Sequence, residues 1–309
     1  MKDHIKVLEL LSIKQFLTVE LSEIIFGSIE IRDDKYIYVH YKNDGLTITK
    51  YIGEYSEELY NLIMVNNSKA KDIKKEIRRI EKELHNLNFI DHELPKEVAI
   101  SIDFAKSNLS QTIYQQAILE GISTTLPDTE NIIEDGIVKN MAVNDIAKII
   151  NLKHAWEFIL NKNVITSPSD YSVLRTINKL VEEGFYYSAG NLRSTPVKIG
   201  GTKWLPDIPI ESLIKEDIDN IINSNKNNLD IAIELLLYVT KKQMFIDGNK
   251  RTSVIFANHY LISKGEGLLI IPDKMVDKYK KLLINYYENN KKKEIIEFLK
   301  KDCYLKIKN

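Results

Sequence analysis

Residues 243–252 read Gln243-Met244-Phe245-Ile246-Asp247-Gly248-Asn249-Lys250-Arg251-Thr252, the densest chemical signal in the chain. On either side, about 229–242 and 249–264, apolar residues recur with the spacing of helices. The sequence therefore predicts a short loop that opens into a helix N-terminus. Unpaired backbone N–H groups and a partial positive charge at such a terminus favour an anion such as phosphate.

The side chains of this stretch match that chemistry. Gly248 allows the backbone to approach an anion closely, and Lys250 and Arg251 supply cations, of which arginine can grip phosphate with two donors. Asp247 beside phosphate implies a Mg²⁺ ion between the two, and Phe245 is the candidate buried anchor of the loop. Each residue alone could simply cap a helix, make a turn or face solvent, but their joint occurrence favours a site.

Composition limits the function classes. The chain has 309 residues, of which 44% are hydrophobic and 28% charged, as in a globular protein of about two domains. Its 43 Lys and Arg residues balance 44 Asp and Glu residues, which disfavours a dedicated nucleic-acid binder. The single cysteine, Cys303, excludes an internal disulfide framework and a Cys-rich zinc site. Neither a membrane-length apolar run nor a signal-peptide pattern is evident, so we expect a cytoplasmic protein without membrane association.

The first hundred residues predict a small α+β segment. Residues 36–41 and 46–49 favour strands joined by a turn at Asn43-Asp44-Gly45. Asn67-Ser68 then predicts the cap of a helix running to about His85. Its apolar stripe consists of Ile73, Ile77, Ile80, Leu84 and Leu87. The stripe could dock a partner, but packing against the protein's own second domain is the simpler interpretation.

From about residue 100 the chain is predicted to be mostly helical. The expected helices are about 103–122, 129–162, 169–183, 210–223, 229–242, 249–264 and 273–288. Residues 191–204 have no helical period and predict a β-hairpin that turns at Gly200-Gly201.

The motif FxDGNKRT resembles the core of the Fic/Doc family motif, HxFx(D/E)GN(G/K)R. Two other segments support the resemblance. Residues 113–122 with Glu120 look like the family's inhibitory helix, and residues 190–204 look like its flap, which aligns target segments by strand addition. The three segments appear in the family's order and span about residues 105–290.

The resemblance implies a mainly α Fic-fold helical bundle with a small β-hairpin flap over 101–309, preceded by the α+β segment 1–100. It also implies transfer of AMP from Mg²⁺–ATP to Ser, Thr or Tyr hydroxyls of a target protein. Asp247 would hold the metal, and Gly248, Asn249, Lys250 and Arg251 the nucleotide. Catalysis would involve Gln243, Asp247, Asn249 and Arg251, and Glu120 would restrain the nucleotide. The target protein would dock at Val197, Lys198, Ile199 and Gly200.

The chain departs from the family motif at its catalytic histidine, which falls on Gln243. Glutamine cannot act as a general base, and losing one typically costs about 10²–10⁴-fold in rate. His259 lies ten residues beyond Asn249, about 15 Å along the helix, which is too far. Lys241 and Lys242 are closer but would need a strongly lowered pKa.

Other departures concern the regulatory contacts. Val254 stands where the AMP-transferring branch has a second arginine, and Gln116 where the inhibitory helix has Ser or Thr. Glu120 could therefore pair with Lys250 or Arg251 instead, or be an ordinary helix-end carboxylate. Lys250 in place of glycine is similar to the Doc branch, which phosphorylates a translation elongation factor.

Several alternatives therefore stay open beside AMP transfer. One is a degenerate Fic fold that binds nucleotide or a partner without transfer, and another is a Doc-like protein kinase. A weaker one is a nucleic-acid-associated regulator that uses residues 1–100. A homo-oligomer is compatible with all of them.

Overall fold

The computed structural model describes residues 2–43, 46–87, 89, 94–135 and 141–307. The chain divides into two compact units, Met1–Ile90 and Asp91–Asn309. None of the helices in these described ranges combines the length and apolar character that crossing a bilayer needs.

The first unit consists of two helices and a three-stranded antiparallel sheet of order β1-β2-β3. Its elements are α1 (Lys2–Glu23), β1 (Ser28–Arg32), β2 (Tyr36–Asn43), β3 (Leu46–Glu54) and α2 (Glu57–Asn86). The pairing of Tyr36 with Glu54 and of Asn43 with Leu46 sets the register of the predicted hairpin. The predicted turn residues Asp44 and Gly45 lie outside the described residues. Ile37, Val39 and Ile63 form the buried centre between the sheet and α2.

The predicted start of α2 at Asn67-Ser68 is wrong. The helix begins ten residues earlier, where the Ser56 side chain accepts a hydrogen bond from the backbone N–H of Leu59. Asn67 lies within the helix, and its amide spans the N–H and C=O of Gly27, with bonds of 2.7 and 3.0 Å. A residue that binds a neighbouring turn was therefore mistaken for a helix cap.

Within the first unit, helix α2, which carries the predicted apolar stripe, packs on α1. Ile73, Ile80 and Leu84 are buried, and the two helices pack together. Ion pairs Lys6–Glu83, Lys14–Glu81 and Lys69–Glu20 follow the seam. Helix α1 was not predicted, because its sequence has only a weak amphipathic pattern.

The second unit is a helical bundle. Its first helices are α3 (Lys96–Ser107), α4 (Leu109–Leu119), α5 (Leu126–Asp135), α6 (Val143–Leu160), α7 (Lys162–Ile165) and α8 (Tyr171–Val181). Its later elements are α9 (Glu211–Ile222), α10 (Asn228–Lys242), α11 (Asn249–Ser263), β4 (Leu268–Leu269), α12 (Val276–Asn289), α13 (Lys293–Asp302) and β5 (Tyr304–Leu305).

Helix α11 is the central element of this bundle. It packs against α6, α8 and α10, and residues 251–262 are buried all round. Its polar residues are satisfied inside the core. The amide of Asn258 pairs with both backbone groups of Leu269. His259 bonds Ser169 Oγ and Val164 O, at 2.8 and 2.9 Å. The N-terminus of α11 is thus presented by a rigid, buried helix.

Two predicted long helices are each interrupted. The predicted helix 103–122 breaks at Asn108, whose side chain donates to the carbonyl of Phe104 instead of continuing the helix outward. The predicted helix 129–162 is α5 and α6, and residues 136–140 between them lie outside the described residues. Helix α13 was missed, although Ile295, Phe298 and Leu299 have helical spacing and are buried.

Candidate functional site

The loop between α10 and α11 has two left-handed residues at its ends. Gln243 ends α10 with φ 47° and ψ 60°, and Gly248 precedes α11 with φ 72°. Between them the Asn249 amide accepts from the Phe245 N–H at 3.0 Å and donates to the Phe245 carbonyl at 2.9 Å. Phe245 is 1% exposed and is the anchor that the sequence predicted. Asn249 therefore holds the shape of the loop with both ends of its side chain.

The Arg251 guanidinium is the central charge of the site. It is 2% exposed, and its Nη2 lies 2.6 Å from Glu182 Oε1 and 3.8 Å from Asp247 Oδ2. Its Nε lies 3.5 Å from Glu120 Oε2. The structure thus brings together Glu120, Asp247 and Arg251, three of the sequence-predicted site residues, and adds Glu182.

Lys250 also faces Glu120, with 3.6 Å between Nζ and Oε1. Glu120 therefore pairs with both Lys250 and Arg251, which was one of the alternatives drawn from the sequence. Gln116, one turn earlier on α4, donates to the Arg251 carbonyl at 2.8 Å and accepts from the Trp156 indole at 2.9 Å. Gln116 thus ties α4 to α6 and α11, which aligns Glu120 with the start of α11.

Glu182 was not predicted. It follows the last residue of α8, and its backbone N–H donates to the carbonyl of Asn178. Its buried carboxylate lies against Gly248, where any Cβ would collide with it. Burial raises the pKa of Glu182 to about 7. Arg251 opposes this rise, Asp247 and Glu120 add to it, and Lys148 weakly opposes it. In the sequence Glu182 is one of two adjacent glutamates at a helix end, and nothing distinguishes it from the exposed Glu183.

Asp247 is placed to hold a cation. Its side chain is 52% exposed, and one carboxylate oxygen accepts from the Gly248 N–H at 2.7 Å. In the described ranges no three His, Cys, Asp or Glu side chains form a metal cluster. Mg²⁺ commonly binds through one or two carboxylates, with phosphate oxygens and water completing its shell. The residues present fit a Mg²⁺ ion that arrives with a phosphorylated substrate.

Gln243 is partly buried and turned toward its own helix. Its Nε2 donates to the Thr240 carbonyl at 2.7 Å. Two basic residues that could have replaced the motif histidine, His259 and Lys241, are engaged elsewhere. Burial lowers the pKa of His259 to about 4, and this side chain is held in the core. Lys241 lies over the Trp204 and Tyr286 rings, 4.7 and 4.6 Å from their centroids. Burial also lowers the pKa of Lys241.

The predicted flap turns at Gly200-Gly201, where Gly201 has φ 80°, but residues 191–204 form no regular strand pair. The predicted turn is therefore present, but the predicted pairing of two strands is wrong. Glu288 of α12 accepts from Thr202 Oγ1 and from the Lys203 N–H, both at 2.9 Å. A side chain thus replaces the cross-strand bonds. Of the predicted docking residues, Val197 and Ile199 are half-buried, and Lys198 and Gly200 are exposed.

Arg193 joins the flap to the site loop, a role that the sequence did not reveal. It is 3% exposed, and its backbone N–H donates to the Met244 carbonyl at 3.0 Å. Its guanidinium donates to four carbonyls, those of Gln243, Thr195, Pro206 and Asp207, at 2.6–3.2 Å. The position of the flap and that of Gln243 therefore depend on one side chain.

Comparison with known proteins identifies the family of this site. Residues 168–261 match the model of the Fic/DOC family. This segment includes Glu182, the flap, the loop 243–248 and most of α11. No curated protein sequence matches the chain.

Solved structures show the same fold. The chain is similar to Fic-1 (residues 134–508) from C. elegans, with a TM-score of 0.54, 19% identity and coverage of 78% of this chain and 72% of that one. It is also similar to a Fic family protein from Desulfovibrio desulfuricans G20, with a TM-score of 0.51, 16% identity and coverage of 68% of this chain and 72% of that one. A third similar structure is a Fic domain containing signaling protein from Bacteroides thetaiotaomicron, with a TM-score of 0.50, 17% identity and coverage of 62% of this chain and 75% of that one. The chain therefore has the mainly α fold of these Fic proteins, as its sequence motif predicted, and residues 168–261 carry the match to the Fic/DOC family.

Proposed function

We propose that this Fic-family chain transfers AMP from ATP to a Ser, Thr or Tyr hydroxyl of a target protein, and that it does so slowly. The observation that carries this proposal is the N-terminus of α11, where Gly248, a buried arginine and an exposed carboxylate meet. Such a terminus favours phosphate, Arg251 supplies charge for the transition state, and Asp247 is accessible to Mg²⁺.

The chemistry asked of these residues is a displacement at phosphorus. The target hydroxyl oxygen bonds to the α-phosphorus, the bond from that phosphorus to the bridging oxygen breaks, and pyrophosphate leaves. The hydroxyl proton passes to water, because the Gln243 amide does not accept it. When bound, Mg²⁺ would neutralise phosphate charge and align its oxygens. Losing the general base predicts a rate about 10²–10⁴-fold below that of a histidine enzyme.

The target protein would reach the site along the flap. The segment 197–200 leads into the turn at Gly200-Gly201, and the residues on its two sides are held by Arg193 at Thr195 and by Glu288 at Thr202 and Lys203. A segment held at both ends but without a strand partner keeps free backbone N–H and C=O groups for an added strand. Val197, Lys198, Ile199 and Gly200 are the proposed docking residues.

Two observations support a second candidate, a Fic fold that binds nucleotide or a partner without transferring anything. The Gln243 amide donates to a carbonyl of its own helix. The carboxylates of Glu120 and Glu182 already contact Arg251. A third candidate, a Doc-like kinase, rests on Lys250 in the motif.

Radiolabelled ATP separates the three. The protein, Mg²⁺ and host lysate are incubated with ATP labelled at the α- or the γ-phosphate, and labelled proteins are counted. Asp247→Ala is the loss-of-site variant, and Asp219→Asn, on the exposed face of α9, is the matched control. AMP transfer is supported if target proteins are labelled from α-labelled ATP, if Asp247→Ala abolishes that labelling, and if Asp219→Asn leaves it unchanged.

The other outcomes contradict AMP transfer. Labelling only from the γ position identifies a kinase. An absence of label from both positions, with ATP binding still measurable by calorimetry, leaves the binding protein.

A further inference from the structure

An internal carboxylate lies where the α11 terminus would bind phosphate. Glu182 is anchored at the end of α8 through its backbone bond to Asn178. Its side chain reaches α11 and fills the space beside Gly248 that a Cβ would need. Its Oε1 is 2.6 Å from Arg251 Nη2. A carboxylate is a stand-in for phosphate oxygens at a helix N-terminus and on an arginine.

The fit of this carboxylate is incomplete. Nε and Nη1 of Arg251 and Oε1 of Glu182 are buried without a hydrogen-bond partner, because the contacts of Arg251 with the three carboxylates lack hydrogen-bond geometry. A buried donor without an acceptor is costly. A phosphate offers three acceptor oxygens in place of two, so it can satisfy donors that Glu182 leaves unused.

The local charge also opposes simultaneous occupancy. Glu120, Glu182 and Asp247 lie within 4 Å of Lys250 or Arg251. Three carboxylates thus share two cations. A phosphate added without removing Glu182 would increase the repulsion and compete for the same volume beside Gly248. The phosphate and the Glu182 carboxylate therefore exclude one another.

We propose that Glu182 is a built-in competitor of the phosphate group, so that a ligand binds at Gly248 and Arg251 only after the Glu182 carboxylate has left. The inference rests on the proposed function in using the same nucleotide site. It differs from the predicted role of Glu120, which directly follows α4 and contacts the Nε side of the Arg251 guanidinium. Apparent affinity is reduced by the fraction of molecules in which Glu182 is displaced.

The test is calorimetric titration of the full-length protein with pyrophosphate and with ATP, each with Mg²⁺. The variants are Glu182→Ala, which empties the space, and Glu182→Gln, which keeps its size but removes the charge. The exposed neighbour provides the matched control, Glu183→Gln. We expect Glu182→Ala to bind pyrophosphate at least about tenfold more tightly than wild type, Glu182→Gln to gain less, and Glu183→Gln to be unchanged. Adding Arg251→Gln to Glu182→Ala should abolish the gain.

A folded Glu182→Ala that binds pyrophosphate no more tightly than wild type overturns the inference, and so does an absence of binding by every variant. If Glu182→Ala does not fold, Glu182→Gln decides by the same criterion. A gain in affinity without label transfer would refute AMP transfer and keep Glu182 as the competitor. Label transfer from α-labelled ATP, with unchanged affinity for pyrophosphate in the Glu182 variants, would support AMP transfer and refute Glu182 as the competitor.

Discussion

Gln243 holds a backbone conformation that a histidine accepts readily. Its φ of 47° lies in the left-handed region, where histidine, asparagine and aspartate are several-fold enriched among non-glycine residues. The left-handed end of α10 would therefore accommodate either this glutamine or the histidine of the Fic motif. What changes is the chemistry, because an amide hydrogen-bonds but does not titrate.

Restoring the histidine should therefore restore rate. We expect Gln243→His to raise label transfer from α-labelled ATP by about 10²–10⁴-fold, since the site regains a general base on an unchanged backbone. Gln243→Asn, which tolerates the same φ but supplies no base, is the control and should give no gain. Single-turnover labelling measures the rate. An unchanged rate for Gln243→His, with ATP binding intact, would contradict a site that lacks only its base.

Glu182 predicts a pH dependence of stability. Its pKa in the folded protein is raised to about 7 from 4.5 by burial, so the folded state holds this proton more tightly than the unfolded state. The contribution is fully present below pH 4.5 and is lost as the pH rises through 7. Arg251 and Lys148 face the group as cations, and Asp247 and Glu120 as anions. Relative to Glu182→Gln, wild type should lose up to about 3 kcal/mol of unfolding free energy between pH 5 and 8.

Urea denaturation of both proteins across that range measures the difference. Glu183→Gln, changed at an exposed carboxylate, should run parallel to wild type. Parallel curves for wild type and Glu182→Gln would show that the buried carboxylate is ionised in both states throughout.

Residues adjacent in sequence were the predictable part of the site. Asp247, Gly248 and Arg251 lie within one turn of each other, so their proximity follows from the local chain. Glu182 and Arg193 are more than forty residues away from the loop. Their burial depends on how α8 and the flap pack on α11, which no local pattern encodes.

The flap is the element whose structure departs most from its sequence pattern. Its β-branched and glycine residues predicted a ladder, but side chains of other elements bind its backbone. Glu288 accepts from donors at one end, and Arg193 donates to the Thr195 carbonyl at the other. The competition between a strand ladder and long-range side-chain contacts cannot be read from 191–204 alone.

Arg193→Lys should loosen this element. A lysine keeps the charge but loses the planar fork, leaving several of the four carbonyls without donors. We expect a loss of about 2–4 kcal/mol in unfolding free energy and faster proteolysis of the flap. The control is Arg175→Lys, which removes one exposed bond to Asn191 and should cost well under 1 kcal/mol. Equal effects of the two variants would contradict a special role for Arg193.

The helices were predicted better than their ends. Helices α8 to α12 agree with the predicted segments to within about three residues, because their apolar spacing is strong. The boundary errors at Asn67 and Asn108 lie where a polar side chain has two uses. Asn67 binds Gly27 instead of capping a helix, and Ser56 is the true cap.

At the scale of the whole molecule, the residues assigned above to the candidate site all belong to the unit Asp91–Asn309. We propose that this part of the chain is the nucleotide-binding domain and that residues 1–90 serve recognition or regulation. The fragment 94–309 should therefore bind ATP with Mg²⁺ about as tightly as the full chain. Calorimetry of both proteins measures this, with Arg251→Gln in the fragment as the control that should abolish binding. A folded fragment that does not bind would place part of the site in the first unit.

Arg193 has a mechanical consequence. One buried guanidinium grips the flap at Thr195, the segment after it at Pro206 and Asp207, and the loop at Gln243. A force applied to the flap would therefore be transmitted through the Arg193 side chain to Gln243, the residue that stands where the Fic motif has its histidine. The position of the flap at the surface and the position of Gln243 in the site would then change together.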